Sequence, residues 1–287
     1  AMESHTDDIA VKLGIPPYEY RWKYLMPKGY TDGFSKNVNY YDTFRECMEK
    51  GSVSVDYERK RREYAQQTGD IRKGIGMAAF WYNTGVWPIS LETSSCRMVM
   101  NQDGSIQVQV GETEIGQGCD TAYSQMVADA VGIPVEDVHV VSTQDTDVTP
   151  FDTGAYASRQ TYVSGMACRK CGEEFRLKIL EYAAYMLSHD VSDLSKTVYA
   201  DQVKAAAALL RETLGLKEGE LVSPDMLDIE NSKIVVSGGE PVLFDLSVVA
   251  DTAFYSLDRS VHITAEVTNQ CKDNTFSSGC CFVEIEV

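Results

Sequence analysis

Two glycine- or amide-rich segments of this chain carry residue types that suit the binding of a large anionic ligand. The first segment is Gly116, Gln117 and Gly118, and the second is Ala157, Ser158, Arg159 and Gln160. Each precedes an amphipathic helical pattern, and a helix N-terminus binds anions through unpaired backbone N–H groups and the positive end of the helix dipole. Because glycine lets the backbone approach a ligand closely, the pair predicts a cradle for a large phosphorylated cofactor.

The same residues also fit an ordinary helix–strand–helix unit, because isolated glycine loops are weak signals. In that interpretation Gln117 is a turn residue and Arg159 forms a surface salt bridge. The two segments alone leave both interpretations open.

Apolar spacing predicts the elements that must position these segments. The first helix has an apolar face formed by Ala122, Met126, Ala130 and Val131. We expect Asp120 to be its N-cap and Gly132 to end it. A short buried strand is predicted at 138–141, followed by a longer helix that either Ser158 or Thr161 caps. The stripe of that second helix consists of Ala167, Cys171, Phe175, Ile179, Tyr182, Ala183 and Met186.

The rest of the chain mixes helical and strand patterns. Helices are predicted at 3–13, 41–50, 199–214 and 246–255, and strands at 74–80, 263–267 and 282–287. Turn residues at Asp103-Gly104 and Gly238-Gly239 predict two β-hairpins. We therefore predict an α+β fold of mixed β-sheets covered by helices. A helical lead-in segment (1–70) is expected to precede one α+β domain (71–287).

Charge and hydropathy exclude several classes of protein. The net charge of −17 argues against a nucleic-acid partner, since phosphates require a basic surface. No apolar run reaches the ~18 residues of a membrane span. The first ten residues carry Glu3, Asp7 and Asp8 and do not resemble a signal peptide, so we expect a cytoplasmic protein.

The eight cysteines do not form a recognisable disulfide or metal framework. Cys168 and Cys171 lie one helical turn apart, but a zinc or iron–sulfur site requires two further ligands at suitable spacing. We favour helix packing for this pair, because lone cysteines pack as small apolar residues.

Four longer stretches resemble a known family. They are residues 1–25 (AMESHTDDIAVKLGIPPYEYRWKYL), 72–88 (RKGIGMAAFWYNTGVWP), 144–165 (QDTDVTPFDTGAYASRQTYVSG) and 276–287 (FSSGCCFVEIEV). Together with the Gly-Gln-Gly segment, they are similar to the molybdenum-binding subunit of the xanthine dehydrogenase and aldehyde oxidase family, the molybdenum hydroxylases. The similarity covers nearly the whole chain and is weaker from 191 to 240. It implies an α+β domain of the molybdopterin-binding type.

The resemblance also implies roles for individual residues. Gln117 would hydrogen-bond the pterin or an oxo ligand of the molybdenum, because an amide donates and accepts without adding charge. Its flanking glycines would give room. The second segment, 157–160, would clasp the pterin and its phosphate, with Arg159 adding a planar charged fork that matches phosphate. Trp87 is the expected aromatic residue of the substrate pocket, with a core tryptophan as the alternative.

The family hydroxylates a carbon next to nitrogen in heterocycles and passes the electrons to iron–sulfur centres and a flavin. The resemblance therefore implies an oxidoreductase of purine catabolism or of a similar N-heterocycle, with nicotinate or an aldehyde as alternative substrates. It implies a molybdopterin cofactor, with the cytosine dinucleotide form as an option. It also implies partner subunits carrying 2Fe-2S clusters and FAD, and a homodimer of the full complex.

The ends of the chain indicate a piece of a larger subunit, because both interrupt a pattern. The family's catalytic glutamate lies in a Gly-Glu-Pro-like motif, and Gly239-Glu240-Pro241 is not at the matching position. We expect that glutamate beyond Val287, so no catalytic residue and no direct metal ligand is assigned within the chain. The piece alone is expected to be inactive. The alternative is a non-catalytic scaffold that binds no cofactor by itself.

Overall fold

The computed structural model describes residues 1–33, 36, 38–89, 92–141, 145–258, 261–273 and 275–287, with the backbone alone for 275–278. Contacts between backbone positions separate the chain into two units, 1–91 with 272–287 and 92–271. The first unit therefore joins the helical lead-in to strands from both ends of the predicted domain. The domain boundary near residue 70 stays a prediction.

The first unit packs four helices on a two-stranded antiparallel sheet. Its elements are α1 (Met2–Lys12), α2 (Pro17–Tyr24), α3 (Thr43–Ser54), α4 (Tyr57–Tyr64), β1 (Lys73–Thr84) and β9 (Thr275–Glu286). Its buried side chains include Met48 and Tyr57 from the helices and Ile75 and Met77 from β1. Helix α2 was not predicted. Pro17 stands at its first turn, where a proline without an N–H is tolerated.

The second unit contains two sheets around a long central helix. Its strands are β2 (Glu92–Met100), β3 (Ile106–Val110), β4 (Val138–Val140), β5 (Leu227–Glu230), β6 (Lys233–Val236), β7 (Val242–Asp245) and β8 (Thr264–Cys271). Its helices are α5 (Cys119–Val131), α6 (Gly165–Ser188), α7 (Val191–Leu194), α8 (Ala200–Leu214) and α9 (Leu246–Phe254). The larger sheet has the order β4-β3-β2-β8, and the smaller sheet has the order β5-β6-β7.

Mixed sheets covered by helices confirm the α+β prediction. In the larger sheet β3 and β4 run parallel, whereas β2 is antiparallel to both of its neighbours. Both predicted hairpins form, β2–β3 and β6–β7. Helix α6 supplies much of the core, with Phe175, Ile179 and Met186 completely buried. Among the described residues, no helix is both long enough and apolar enough to span a bilayer.

The cysteine pair of α6 lies inside this core. Cys168, Cys171 and Cys96 of β2 are all completely buried, and the Cys171 thiol donates to the Cys96 carbonyl oxygen at 3.3 Å. Burial raises the pKa of the Cys96 thiol well above its ordinary value, so this thiol stays protonated. Neutral, buried thiols of this kind agree with the packing interpretation.

Two details of α5 differ from the prediction. Its buried face includes Val131, as predicted, but Tyr123 and Val127 are buried in place of Ala122 and Met126, because the large ring of Tyr123 turns inward. Its N-cap is Gly118, and Asp120 lies in the first turn. Gly132 ends the helix in a left-handed conformation, as predicted.

Candidate functional site

The two predicted segments meet in the folded chain. The Gln117 side-chain Nε2 donates to Gln160 Oε1 at 2.6 Å, and it also donates to the Thr113 carbonyl oxygen at 3.2 Å. Gln160 Nε2 donates to the same carbonyl at 3.3 Å. An exposed pair of amides therefore joins the first loop, 111–118, to the second loop, 150–160.

The glycines of the first loop are required by backbone conformation. Gly116 and Gly118 have φ angles of +99° and +83°, in the left-handed region that glycine adopts at little cost. A Cβ atom at either position would meet no atom within 4 Å. The loop thus presents an open backbone face on each side of Gln117.

The backbone N–H groups at the start of α5 are not free, contrary to the sequence-based expectation. The Glu114 carboxylate accepts from Gly116 N at 2.7 Å, Gly118 N at 3.0 Å and Asp120 N at 3.3 Å. These bonds, that from Gly118 above all, lower the pKa of Glu114 to about 2. The anion at this helix N-terminus is the protein's own carboxylate, so a cofactor phosphate is not expected there.

We predict that Glu114→Ala loosens the first loop, because three backbone donors lose their acceptor. Amide hydrogen exchange at residues 115–120 should accelerate about fivefold, a size typical of a lost N-terminal cap. Glu114→Gln keeps one acceptor oxygen and should have a smaller effect. Equal exchange in the wild type and Glu114→Ala would show that this carboxylate does not hold the loop.

The second loop contains unusual backbone conformations next to the amide pair. Ala157 and Ser158 have φ angles of 46° and 50°, a region that costs a non-glycine residue about 1–3 kcal/mol. A π-helical turn, Gln160–Ser164, follows and leads into α6. Neither predicted cap of this helix is used, since α6 begins only at Gly165. Both features occur frequently at functional sites.

Arg159 lies inside the protein, and the structure changes the role expected of it. Its side chain is completely buried, and its Nε donates to Glu92 at 2.6 Å. Nη1 donates to Asp152 at 2.6 Å, and Nη2 donates to the Thr93 carbonyl at 2.7 Å. The guanidinium fork is therefore used for internal carboxylates, and the geometry does not support a phosphate contact by this side chain.

A second buried acid, Glu112, completes this cluster. Its carboxyl accepts from the Ser164 hydroxyl, from the Tyr123 hydroxyl at 3.5 Å and from Arg159 Nη1 at 3.4 Å. Burial, together with the neighbouring Asp152, raises the pKa of Glu112 to about 7. A large fraction of this carboxyl therefore carries a proton near neutral pH.

Sequence reasoning missed the three acids that surround Arg159. Glu92, Glu112 and Asp152 stand far apart in the sequence, and no spacing between them indicates a shared ionic partner. The available signal was weak: Glu112 comes directly after the buried strand β3, where an unpaired acid is costly.

Comparison with known proteins identifies the family. A family model described as a molybdopterin cofactor-binding domain matches residues 50–287. The chain belongs to this family. The matched range contains three of the four sequence stretches and the Gly-Gln-Gly loop, and membership confirms the resemblance that they carry.

Curated relatives extend the match to the whole chain. A xanthine dehydrogenase molybdenum-binding subunit of Escherichia coli O157:H7 is 39% identical over 287 residues, which is 100% of this chain and 34% of that protein. A carbon monoxide dehydrogenase large chain of Hydrogenophaga pseudoflava is 30% identical over 217 residues, covering 71% of this chain and 27% of the relative. The chain thus spans about a third of the length of these relatives.

Solved structures of other proteins share the fold. A quinoline 2-oxidoreductase from Pseudomonas putida 86 superposes with a TM-score of 0.64 at 20% identity, over 100% of this chain and 34% of that one. A copper- and molybdenum-containing carbon monoxide dehydrogenase gives a TM-score of 0.63 at 21% identity, with the same coverage. At these identities the likeness shows the fold alone.

Trp87, the residue predicted for the substrate pocket, belongs to the first unit. It is half-buried and follows β1, in a turn that the Ile89 N–H to Val86 carbonyl bond closes at 2.8 Å. Its substrate role stays a prediction. The motif at Gly239-Glu240-Pro241 lies in the turn between β6 and β7. In sequence, this turn is far from both loops that carry the glutamine amides.

Proposed function

We propose that this chain is part of a molybdenum hydroxylase and binds molybdopterin at the Gln117–Gln160 pair. One observation carries the proposal. In a chain of the molybdopterin cofactor-binding domain family, the two loops suggested by the sequence are joined through exposed amide groups 2.6 Å apart. Amides can exchange this mutual bond for hydrogen bonds to a ligand without a change of charge.

The residues present fit the pterin part of such a cofactor. A pterin has neutral donor and acceptor edges, which match the two glutamine amides, and a flat ring, which the open faces at Gly116 and Gly118 can admit. The phosphate is assigned elsewhere, because Glu114 already occupies the N-terminus of α5. We place it near the exposed Ser158 hydroxyl and the backbone of Ala157.

A molybdenum pterin, when bound, supplies two-electron chemistry for hydroxylating a carbon next to a ring nitrogen. This chain's own residues bind and orient it. Gln117 and Gln160 set its position, and the buried cluster around Arg159 holds their loops. No group of the chain is assigned as the catalytic base, which we place in a glutamate beyond Val287.

Substrate and partners follow from the relatives only as a proposal. We propose a purine or a similar N-heterocycle, since the 39%-identical relative is a xanthine dehydrogenase subunit. Nicotinate or an aldehyde remains the alternative within the family. We also propose 2Fe-2S and FAD partner subunits, a homodimeric complex in the cytoplasm, and a pterin that carries cytosine dinucleotide.

Gln117→Ala tests this function. In the complete natural protein, we expect molybdenum and pterin content to fall at least about tenfold, the effect of losing one or two good hydrogen bonds. Metal analysis and fluorescence of the oxidised pterin measure the two components separately. Gln125→Ala, an exposed glutamine on α5, is the matched control and should keep wild-type content. Unchanged content in Gln117→Ala would refute the proposed site.

The isolated 287-residue chain provides a separate test. We propose that it is inactive by itself, because the assigned base lies beyond Val287. If the isolated chain binds no pterin while the complete protein does, the scaffold interpretation applies to the piece and not to the complete protein.

A further inference from the structure

The two candidate loops are tied together at two levels. At the surface, Gln117 and Gln160 form the amide pair. Beneath it lies a buried group of five side chains that we call the inner clamp. The inner clamp consists of Glu92, Glu112, Asp152, Arg159 and Ser164. Four of these residues are buried, and the side chain of the fifth, Asp152, is only 1% exposed.

Arg159 connects the second loop to the sheet. Its Nε and Nη2 bind Glu92 and the Thr93 carbonyl of β2, at 2.6 Å and 2.7 Å. Its Nη1 binds Asp152 at 2.6 Å and the Gly154 carbonyl at 3.0 Å, both within the second loop. The planar guanidinium thus connects two parts of the second loop with each other and with β2. It belongs to the residue that directly follows Ala157 and Ser158, the two residues with left-handed backbone.

Ser164 and Glu112 connect the second loop to the first. The Ser164 hydroxyl faces Glu112, at the start of the first loop, and Asp152 of the second loop at 3.1 Å. One hydroxyl carries one proton and cannot supply it to two ionised carboxylates. A proton on Glu112 removes this conflict and lowers the repulsion between Glu112 and Asp152.

We propose that the inner clamp positions the amide pair: Arg159, Glu112 and Ser164 hold the two loops in the one arrangement that presents Gln117 and Gln160 to a pterin. This inference rests on the proposed function for the identity of the ligand. The clamp residues act through the loops and are positioning residues, since their side chains are buried and do not reach a ligand.

The clamp should respond to pH through Glu112. Its carboxyl is faced by Arg159, Asp152, Ser164 and Tyr123, and its pKa is raised to about 7 in the closed arrangement. A group whose pKa is raised in one state stabilises that state only while the proton is bound. The arrangement in which the inner clamp holds the two loops together should therefore be favoured below about pH 7. Its stability should decrease as the pH rises through that value.

Hydrogen exchange in the complete natural protein, freed of cofactor, tests the clamp directly. Protection factors at 113–118 and 157–160, corrected for intrinsic exchange, should fall about tenfold from about pH 6 to about pH 8. Glu112→Gln keeps the size and a donor but cannot ionise, so its protection should be independent of pH. Glu136→Gln, at an exposed glutamate, should keep the wild-type pH profile. A pH-dependent profile retained in Glu112→Gln would overturn the proposal.

Arg159→Lys tests the fork independently. Lysine keeps the charge but not the planar set of donors, so we expect exchange at 157–160 to accelerate about tenfold, and cofactor release to accelerate equally in the loaded protein. Wild-type exchange and release in this variant would overturn the clamp, even if Gln117→Ala still lost the cofactor. If the proposed function is wrong, the wild-type protein will contain no pterin. The exchange measurements would still show whether the inner clamp holds the two loops.

Discussion

Replacing Arg159 with leucine is expected to destabilise the second unit by about 3–5 kcal/mol, the usual cost of removing one partner from a buried ionic group. The substitution leaves the buried side chains of Glu92 and Asp152 without the cation that both of them bind. Burying a carboxylate without a partner is costly, so these acids must either take up protons or draw water into the core. Urea unfolding of the complete protein measures the change.

Arg169→Leu is the matched control for that experiment. Arg169 is on α6, which follows the second loop, and its side chain is 64% exposed. Its only ion pair among the described residues is with Glu173 at 2.9 Å. Its loss should change the free energy of unfolding by no more than about 0.5 kcal/mol. If both leucine variants unfolded at the same urea concentration, the buried cluster would contribute nothing specific to stability.

Gly111→Ala should have the second large effect, about 3 kcal/mol or more, because it forces atoms together where two chain segments cross. A Cβ atom at Gly111 would overlap the Pro150 carbonyl oxygen and lie 2.8 Å from Asp152 Cβ. Asp152 forms a β-bridge with Ser94 and binds Arg159, so a shift of the second loop would also disturb the inner clamp.

The effect of Gly111→Ala is measured by the thermal unfolding temperature and by the cofactor content of the complete protein. We expect both to fall, since the substitution acts on the second loop as a whole. Gly76→Ala is the control: this exposed glycine of β1 would meet no atom within 4 Å and has no left-handed backbone. A Gly111→Ala protein with wild-type stability would show that the loops cross more loosely than the structure indicates.

Local patterns predicted most of the elements that frame the site. The hairpin at Asp103-Gly104 formed as expected, because its turn residues and flanking alternation act over a few positions. Helix α8, which ends at a left-handed Gly215, and the apolar stripe of α6 were likewise predicted from the sequence. Errors occurred where a local signal had two meanings, as at Pro17, which starts α2, and at Tyr123, whose ring is buried despite its hydroxyl.

The sequence by itself determined the family, the α+β class and the two loops that meet at Gln117 and Gln160, since these depend on residue type and short spacing. Only the tertiary structure decided what the charged groups do. It placed Glu114 on the N-terminus of α5 and buried Arg159 among acids from distant parts of the chain. The physical reason is that burial and neighbouring charge arise from strand pairing and loop crossing, which join residues far apart in the sequence.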